Sequence, residues 1–217
     1  VSGRANLWAT QAWREGLFEV QDAASQRVVD LAGVLPGETV VDLCAGAGGK
    51  TVALAAAAGP KGRVIAIEPD PARVADLRAR LRRTGHGNVE VRPGSAFDLT
   101  ADLAGRAEVV VVDAPCSSLG VLRRSPGRKW VLDAGEPARW TSLQGALLRA
   151  GASCVRPGGR LVFATCSTEP EEGEEVVAAF AEITEGLKFQ PIERLRPFPH
   201  IDGGDGFFIA AWCARVA

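Results

Sequence analysis

The sequence contains no methionine, not even at position 1. It also has no secretory signal at its start and no apolar run long enough to span a bilayer. The missing initiator predicts that these 217 residues belong to a longer or processed protein. Because neither a leader nor a spanning segment is recognisable, we expect a cytoplasmic protein without a membrane partner.

The five cysteines include no Cys-x-x-Cys pair, and the chain has only two histidines. This composition lacks the ligand spacing of a zinc site, so it predicts free thiols and no bound metal. A net charge of −1 gives no general attraction to nucleic acid. Binding to nucleic acid would therefore need a local basic patch or a further domain.

Apolar segments and amphipathic segments alternate along the chain, a pattern typical of a doubly wound α/β sheet with ligands at the carboxyl ends of its strands. The predicted strands are 39–43, 63–68, 89–92, 107–115, 160–165 and 206–216. The predicted helices are 20–33, 70–85, 138–159 and 169–183. We expect one domain over residues 1–217, with 1–35 as an N-terminal helical lead-in. The oligomeric state is left open.

The glycine-rich segment "DLCAGAGGKT" (42–51) lies between a predicted strand and a helix. A nucleotide-triphosphate loop that ends in Gly49-Lys50-Thr51 would need a glycine at position 44, where the chain has Cys44. The dinucleotide pattern G-x-G-x-x-G would need a third glycine where the chain has Thr51. The spacing therefore fits neither pattern fully. Together with the rest of the chain the segment favours S-adenosylmethionine, and a glycine turn without any ligand is the alternative.

Three acids end predicted strands: Asp42, Glu68 and Asp113. Glu68 follows the glycine turn by about 20 residues, which is the distance at which a carboxylate can bind the ribose hydroxyls of an adenosine. A ribose 2′-phosphate would be repelled there. The spacing also fits NAD or a solvated acid at the end of a strand.

Two cysteines follow two different predicted strands, in "DAPCSS" (113–118) and "ATCST" (164–168). These strands are often neighbours in a doubly wound sheet, so Cys116 and Cys166 could face one pocket. A single buried cysteine is more often a small core residue. Two at functional strand ends instead predict a nucleophile, provided that its thiolate is favoured.

On these motifs the chain resembles the RNA (cytosine-5)-methyltransferases of the Sun/Fmu type. "DLCAGAGGKT" is similar to that family's cofactor loop, which usually has Ala-Pro in place of Gly46-Ala47. "DAPCSSLGVLRRSPGRKW" (113–130) and "ATCSTEPEEGEE" (164–175) resemble its motifs IV and VI, and "DGFFIA" (205–210) its closing strand. The resemblance implies a Rossmann-like S-adenosylmethionine-dependent methyltransferase sheet with a closing antiparallel strand.

The resemblance also implies roles for individual residues. Cys166 would attack C6 of a cytosine, Cys116 would help remove the C5 proton and release the enzyme, and Asp113 would hold the base. Lys50 would lie near the methionine carboxylate or the base. The implied cofactor contacts are Cys44, Ala45, Gly46, Ala47, Gly48, Gly49, Lys50, Glu68, Ser95 and Asp113. The family commonly has an acid where this chain has Ser95, so Asp98 is the alternative contact to adenine.

The choice of nucleophile stays open on residue chemistry alone. DNA cytosine methyltransferases use a cysteine that follows proline, and Cys116 follows Pro115. Cys166 in the second motif favours an RNA enzyme instead. The expected partner is RNA, with small-subunit rRNA first and tRNA second, and the basic segment "LRRSPGRKW" (122–130) would contact phosphates and stack a base. The competing functions are a catalytically silent RNA-contact module that binds S-adenosylmethionine and a nicotinamide oxidoreductase.

Overall fold

The computed structural model describes residues 6–133, 135–183 and 188–216. Residues 1–5 of the predicted lead-in, and residues 134, 184–187 and 217 of the predicted domain, lie outside the described residues. The strands are β1 (Thr39–Asp42), β2 (Arg63–Glu68), β3 (Val89–Pro93), β4 (Ala107–Asp113), β5 (Val155–Thr165), β6 (Phe189–Leu195) and β7 (Phe208–Ala214). The helices are α1 (Gln11–Arg14), α2 (Ala23–Ala32), α3 (Gly49–Ala58), α4 (Pro71–Thr84), α5 (Ala96–Leu99), α6 (Glu136–Cys154), α7 (Glu174–Glu182) and α8 (Pro199–Asp202).

These strands form one sheet in the order β3-β2-β1-β4-β5-β7-β6. Strands β1 to β5 pair in parallel, and β7 lies antiparallel between β5 and β6. The predicted doubly wound Rossmann-like sheet with a closing antiparallel strand is therefore confirmed. Because the parallel strands all point the same way, Asp42, Glu68 and Asp113 end at one edge of the sheet.

Helices cover both faces of the sheet, because successive strand residues point to opposite faces. Along β4, Val109 and Val111 pack with α2 and α3, whereas Val110 and Val112 pack with α6 and α7. All four valines are fully buried. The middle of β4, residues 109–112, is therefore apolar throughout, as expected for a central strand covered on both faces.

Local signals set the ends of the helices that the sequence predicted well. Asp22 caps α2 by accepting the Ala24 N–H, and the helix ends at Gly33, whose φ is 54°. Asp70 caps α4 in the same way, Pro71 occupies its first turn, and Gly85 ends it with a φ of 72°. A side chain carboxylate at the N-cap and a left-handed glycine after the last turn are the standard pair of helix boundaries.

The structure differs from the predicted elements in the second half of the chain. The helix expected over 138–159 ends at Cys154, and β5 already begins at Val155. Pro157 lacks an N–H and disfavours the helical conformation of the residue before it, so the helix stops ahead of the Pro-Gly-Gly turn. Strand β6 was not predicted at all. It is an edge strand whose central residues are exposed and which contains Pro191, so it lacks the apolar alternation of a strand.

Candidate active site

The glycine loop of residues 43–48 connects β1 to α3 at the carboxyl edge of the sheet. Gly46 and Gly48 have φ values of 55° and 85°, which residues with a side chain rarely adopt. A Cβ on Gly48 would lie 2.3 Å from the Leu77 Cδ1, so this glycine also lets α3 pack against α4. A Cβ on Gly46 would meet nothing within 4 Å, so space is open beside the loop at that point.

The other loop residues are placed as follows. Ala45 is buried and its N–H donates to the Ile67 carbonyl oxygen, which joins the loop to β2. Ala47 is half-buried, and Gly49 begins α3. The half-buried Cys44 has a thiol whose pKa is raised by burial, so this thiol stays protonated.

Glu68 and Asp42 are both buried beneath the glycine loop. The Glu68 carboxylate accepts the Gly46 N–H at 2.8 Å and the Asp70 N–H at 2.9 Å, so it holds the loop against β2. The Asp42 Oδ2 accepts the Thr51 hydroxyl at 2.7 Å, while its Oδ1 has no partner among the described residues. Burial raises the pKa of Asp42 to about 6.

Lys50 and Asp113 form an ion pair although the sequence did not connect them. The Lys50 Nζ donates to the Asp113 Oδ2 at 2.5 Å and lies 5.3 Å from the centre of the Phe207 ring. The Lys50 side chain is only 11% exposed, and that of Asp113 is 27% exposed. A charge pair with little water around it orients both groups strongly, because the surrounding dielectric is low.

Ser95 follows β3, where a contact to adenine was expected. Its hydroxyl accepts the Phe97 N–H at 3.2 Å and thereby caps the short helix α5. Asp98 lies within α5 and is exposed. A cofactor contact from either residue stays a prediction.

Cys116 and Cys166 meet at the ends of β4 and β5, as expected. Their Sγ atoms are 3.3 Å apart, and the Ser118 Oγ lies 3.6 Å from the Cys166 Sγ. The hydrogen bond with Cys116, aided by the Ser118 hydroxyl and the Lys50 charge, lowers the pKa of the Cys166 thiol. The same bond and burial raise the pKa of Cys116. Cys166 is also the more exposed thiol, so it is the one that ionises first.

Sequence reasoning missed two polar side chains that lie behind the thiols. Glu172 is fully buried and accepts the Ser117 N–H at 2.8 Å, and the buried Gln144 Nε2 donates to the Pro115 carbonyl oxygen at 2.9 Å. Glu172 stands in an acidic run that was interpreted as the start of a helix. It instead precedes α7, in a short 3-10 turn of residues Pro170–Glu172.

The arginines of the basic segment 122–130 bind other parts of the protein. Arg124 pairs at 2.5 Å with the buried Asp205, and Arg123 bridges Asp205 and Asp22. Arg128 donates to the Ser117 carbonyl oxygen and pairs with Glu136. These arginines therefore hold the loop beside Cys116.

Lys129 and Trp130 are exposed members of this segment that lie against one another. Trp130 is 79% exposed, and the Lys129 Nζ lies 4.6 Å from the centre of its ring.

Among the described residues, no helix is long and apolar enough to cross a membrane. The same residues contain no group of three or more histidine, cysteine or acidic side chains arranged to hold a metal ion.

A family model described as 16S rRNA methyltransferase RsmB/F matches residues 31–213. The chain is 36% identical over 209 residues to ribosomal RNA small subunit methyltransferase B of Yersinia enterocolitica, covering 92% of this chain and 48% of that protein. It is 37% identical over 203 residues to the protein of the same name from Yersinia pseudotuberculosis, covering 90% and 46%. The chain thus spans about half the length of the curated relatives it matches.

Solved structures share the fold over nearly the whole chain. The crystal structure of PH0851 superposes with a TM-score of 0.91 at 32% identity, covering 97% of this chain and 50% of that one. The crystal structure of NSun6 from Pyrococcus horikoshii with SFG superposes with a TM-score of 0.88 at 26% identity, covering 97% and 56%. The similarity therefore includes the sheet, the glycine loop and both thiol-bearing loops.

Proposed function

Because this chain belongs to the 16S rRNA methyltransferase RsmB/F family, whose members depend on S-adenosylmethionine, we propose that it carries the catalytic site of an RNA (cytosine-5)-methyltransferase. The observation that carries the proposal is the contact between the Cys116 and Cys166 sulfurs, 3.3 Å apart at the carboxyl edge of the sheet. One thiol can attack a pyrimidine while the other serves the later release. An ion pair of Lys50 and Asp113 adjoins them.

The residues around the glycine loop fit an adenosine-bearing cofactor. Space is open beside Gly46, and the Asp42 Oδ1 is a buried acceptor without a partner among the described residues. Each carboxylate oxygen of Glu68 accepts one hydrogen bond from a backbone N–H group. Each oxygen therefore keeps a further lone pair that can accept from a ribose hydroxyl. When bound there, S-adenosylmethionine supplies the methyl group that C5 of the cytosine takes up.

The two thiols divide the remaining chemistry between them. The Cys166 thiolate adds to C6 of the cytosine, and the electron pair of the C5–C6 double bond moves to C5, which becomes nucleophilic. Asp113 holds the N3/N4 edge of the base and stabilises the charge that develops there. After the methyl group is in place, the C5 proton leaves with the help of Cys116, the double bond reforms and the Cys166 thiolate departs.

The substrate side of the proposal is RNA with an unstacked cytosine. Stacking in a duplex hides C5 and C6 from a nucleophile, so the target lies in a loop or is extruded. The exposed Trp130 offers a ring on which a neighbouring base can stack, next to the loop that carries Cys116. Small-subunit rRNA is the proposed substrate, tRNA the second choice, and the cytoplasm the proposed location.

Incubation of the protein with radiolabelled S-adenosylmethionine and either small-subunit rRNA or tRNA tests this function. We expect the label to enter rRNA and to elute as 5-methylcytidine after digestion to nucleosides. Label on another nucleoside would refute the cytosine-5 chemistry. Cofactor binding without any transfer to either RNA would favour the silent RNA-contact module.

A further inference from the structure

Glu172 is a fully buried carboxylate that the chemistry proposed above does not use. It lies in the 3-10 turn of residues Pro170–Glu172, six positions after Cys166. Burying a carboxylate is costly unless donors surround it. Glu172 has three such donors, and all of them lead to the thiol-bearing loops.

The first set of contacts fixes the loop of Cys116. The Glu172 Oε1 accepts the Ser117 N–H at 2.8 Å, and its Oε2 accepts the Ser117 hydroxyl. Gln144 donates to the Glu172 Oε1 at 3.2 Å and to the Pro115 carbonyl oxygen at 2.9 Å. The residues on both sides of Cys116 are therefore held by Glu172 or by its partner Gln144.

The second set of contacts fixes the loop of Cys166. The Thr165 hydroxyl donates to the Glu172 carbonyl oxygen at 3.0 Å. The Ser167 Oγ lies 3.4 Å from the Ser117 Oγ, which the carboxylate already holds. The residues on both sides of Cys166 are thus linked to the same glutamate, one directly and one through Ser117.

We propose that Glu172 is a positioning residue that sets the separation of the two catalytic thiols by holding the Cys116 loop and the Cys166 loop to one another. The catalytic meaning of that separation rests on the proposed function. A glutamine retains the size of the side chain and can offer an oxygen to the Ser117 N–H and an amide to the Ser117 hydroxyl oxygen. A leucine fills a similar volume but leaves the Ser117 N–H without its acceptor and removes one acceptor each from the Ser117 hydroxyl and from Gln144.

The positioning of the thiols can be tested without RNA or cofactor, by titration of the protein with glutathione disulfide. The measured quantity is the equilibrium constant for formation of the Cys116–Cys166 disulfide. Disulfide formation oxidises Cys116 and Cys166, reduces one glutathione disulfide to two glutathione molecules, and requires the sulfurs to close from 3.3 Å to about 2.05 Å. Peptide mapping by mass spectrometry identifies the Cys116–Cys166 cross-link among the five cysteines. The variants are Glu172→Gln and Glu172→Leu, with Glu175→Leu on the exposed face of α7 as the matched control.

We expect Glu172→Gln and Glu175→Leu to form the cross-link with the wild-type equilibrium constant, and Glu172→Leu to lower that constant by about tenfold or more. An unchanged constant in a folded Glu172→Leu variant, judged by circular dichroism, would overturn the proposal. So would a loss in Glu172→Gln as large as in Glu172→Leu.

If Glu172→Leu does not fold, Ser117→Ala provides the second variant, because it removes one donor to the carboxylate and keeps the backbone N–H. We expect the cross-link constant to fall by about threefold, and no change would overturn the positioning role. Failure of the wild-type protein to methylate cytosine would sink the proposed function but would leave this thiol measurement intact. The two proposals therefore fail separately.

Discussion

The Cys116 and Cys166 sulfur atoms lie 3.3 Å apart although 50 positions separate them in the chain. Strands β4 and β5 are parallel neighbours, with Asp113 opposite Ala164, so each strand delivers its cysteine to the same edge. Cys166 is the half-exposed member with the lowered pKa, and Cys116 is buried with a raised pKa. This asymmetry supports the proposed roles, in which Cys166 attacks and Cys116 serves the release.

Alanine variants of the two thiols should fail differently. Cys166→Ala cannot form the bond to C6, so the RNA stays free and unmethylated. Cys116→Ala forms the bond but does not complete elimination, so a protein–RNA complex accumulates and survives denaturing electrophoresis. Cys213→Ala, in β7, is the control and should behave like the wild type. A trapped complex only in Cys166→Ala would reverse the roles, in line with the Pro115-Cys116 pattern.

Replacement of Lys50 should shift the pH at which Cys166 reacts. Lys50 is positive and lowers the Cys166 pKa, whereas Asp113 raises it. Lys50→Met removes the positive charge and leaves Asp113 without its partner, so the Cys166 pKa rises and its alkylation by iodoacetamide needs a higher pH. Mass spectrometry of the Cys166 peptide gives the alkylated fraction at each pH, and hence the pH at the midpoint of alkylation. The exposed Lys61→Met variant should leave the midpoint in place, and an unmoved midpoint in Lys50→Met would exclude this charge effect.

Cofactor affinity should depend on Glu68. Glu68→Ala removes the proposed bonds to ribose and the acceptor that holds the Gly46 N–H. We expect the binding of S-adenosylhomocysteine to weaken by about 1–3 kcal/mol in calorimetry, the scale of a hydrogen bond to a charged group. Glu193→Ala, at an exposed position of β6, is the comparison. Equal affinity in both variants would show that Glu68 does not contact the ribose.

Binding of single-stranded RNA should depend on Trp130. Trp130→Ala removes a largely exposed ring, and we expect a loss of about 1–3 kcal/mol, the scale of one stacked base. Fluorescence anisotropy with an unstructured oligoribonucleotide measures it. Trp8 is also exposed, at 56%, and Trp8→Ala is the matched control. Equal losses in the two variants would contradict a specific stacking role.

The free energy of unfolding should depend on pH because Asp42 has different pKa values in the folded and unfolded states. Burial raises the folded pKa to about 6, above the unfolded value of about 3.9, so the folded state holds the proton more tightly. The stabilisation that the folded state gains from this tighter proton binding is therefore present below pH ~4 and is lost as the pH rises through ~6. The Asp42→Asn variant has no carboxyl group to ionise at this position, so its stability does not fall in this way as the pH rises.

Urea unfolding at pH 4 and pH 7 measures the effect as a difference between variants. The free energy of unfolding of Asp42→Asn minus that of the wild type should rise by about 2 kcal/mol from pH 4 to pH 7. The exposed Asp76→Asn should show no such rise. A flat difference for Asp42→Asn would mean that Asp42 ionises in the folded protein as it does in the unfolded chain.

The sequence by itself determined the parts of the protein that depend on neighbouring residues. Helices α2 and α4 follow from an aspartate at the start and a glycine at the end, and the glycine loop follows from two residues that need positive φ. The apolar runs that end in Asp42, Glu68 and Asp113 are visible because central parallel strands are buried on both faces. If the two strands that precede Cys116 and Cys166 are parallel neighbours, as the structure shows, the two thiols reach the same edge of the sheet.

Only the tertiary structure decided which polar groups pair with one another. Lys50 joins Asp113 across 63 positions, and Glu172 joins Ser117 across 55. An acidic run looks the same in sequence whether its members face solvent at a helix start or one of them is buried, as Glu172 is. The arginines of the basic segment are likewise engaged by Asp22 and Asp205. These pairings depend on which loops meet at the edge of the folded sheet, and no local propensity encodes that meeting.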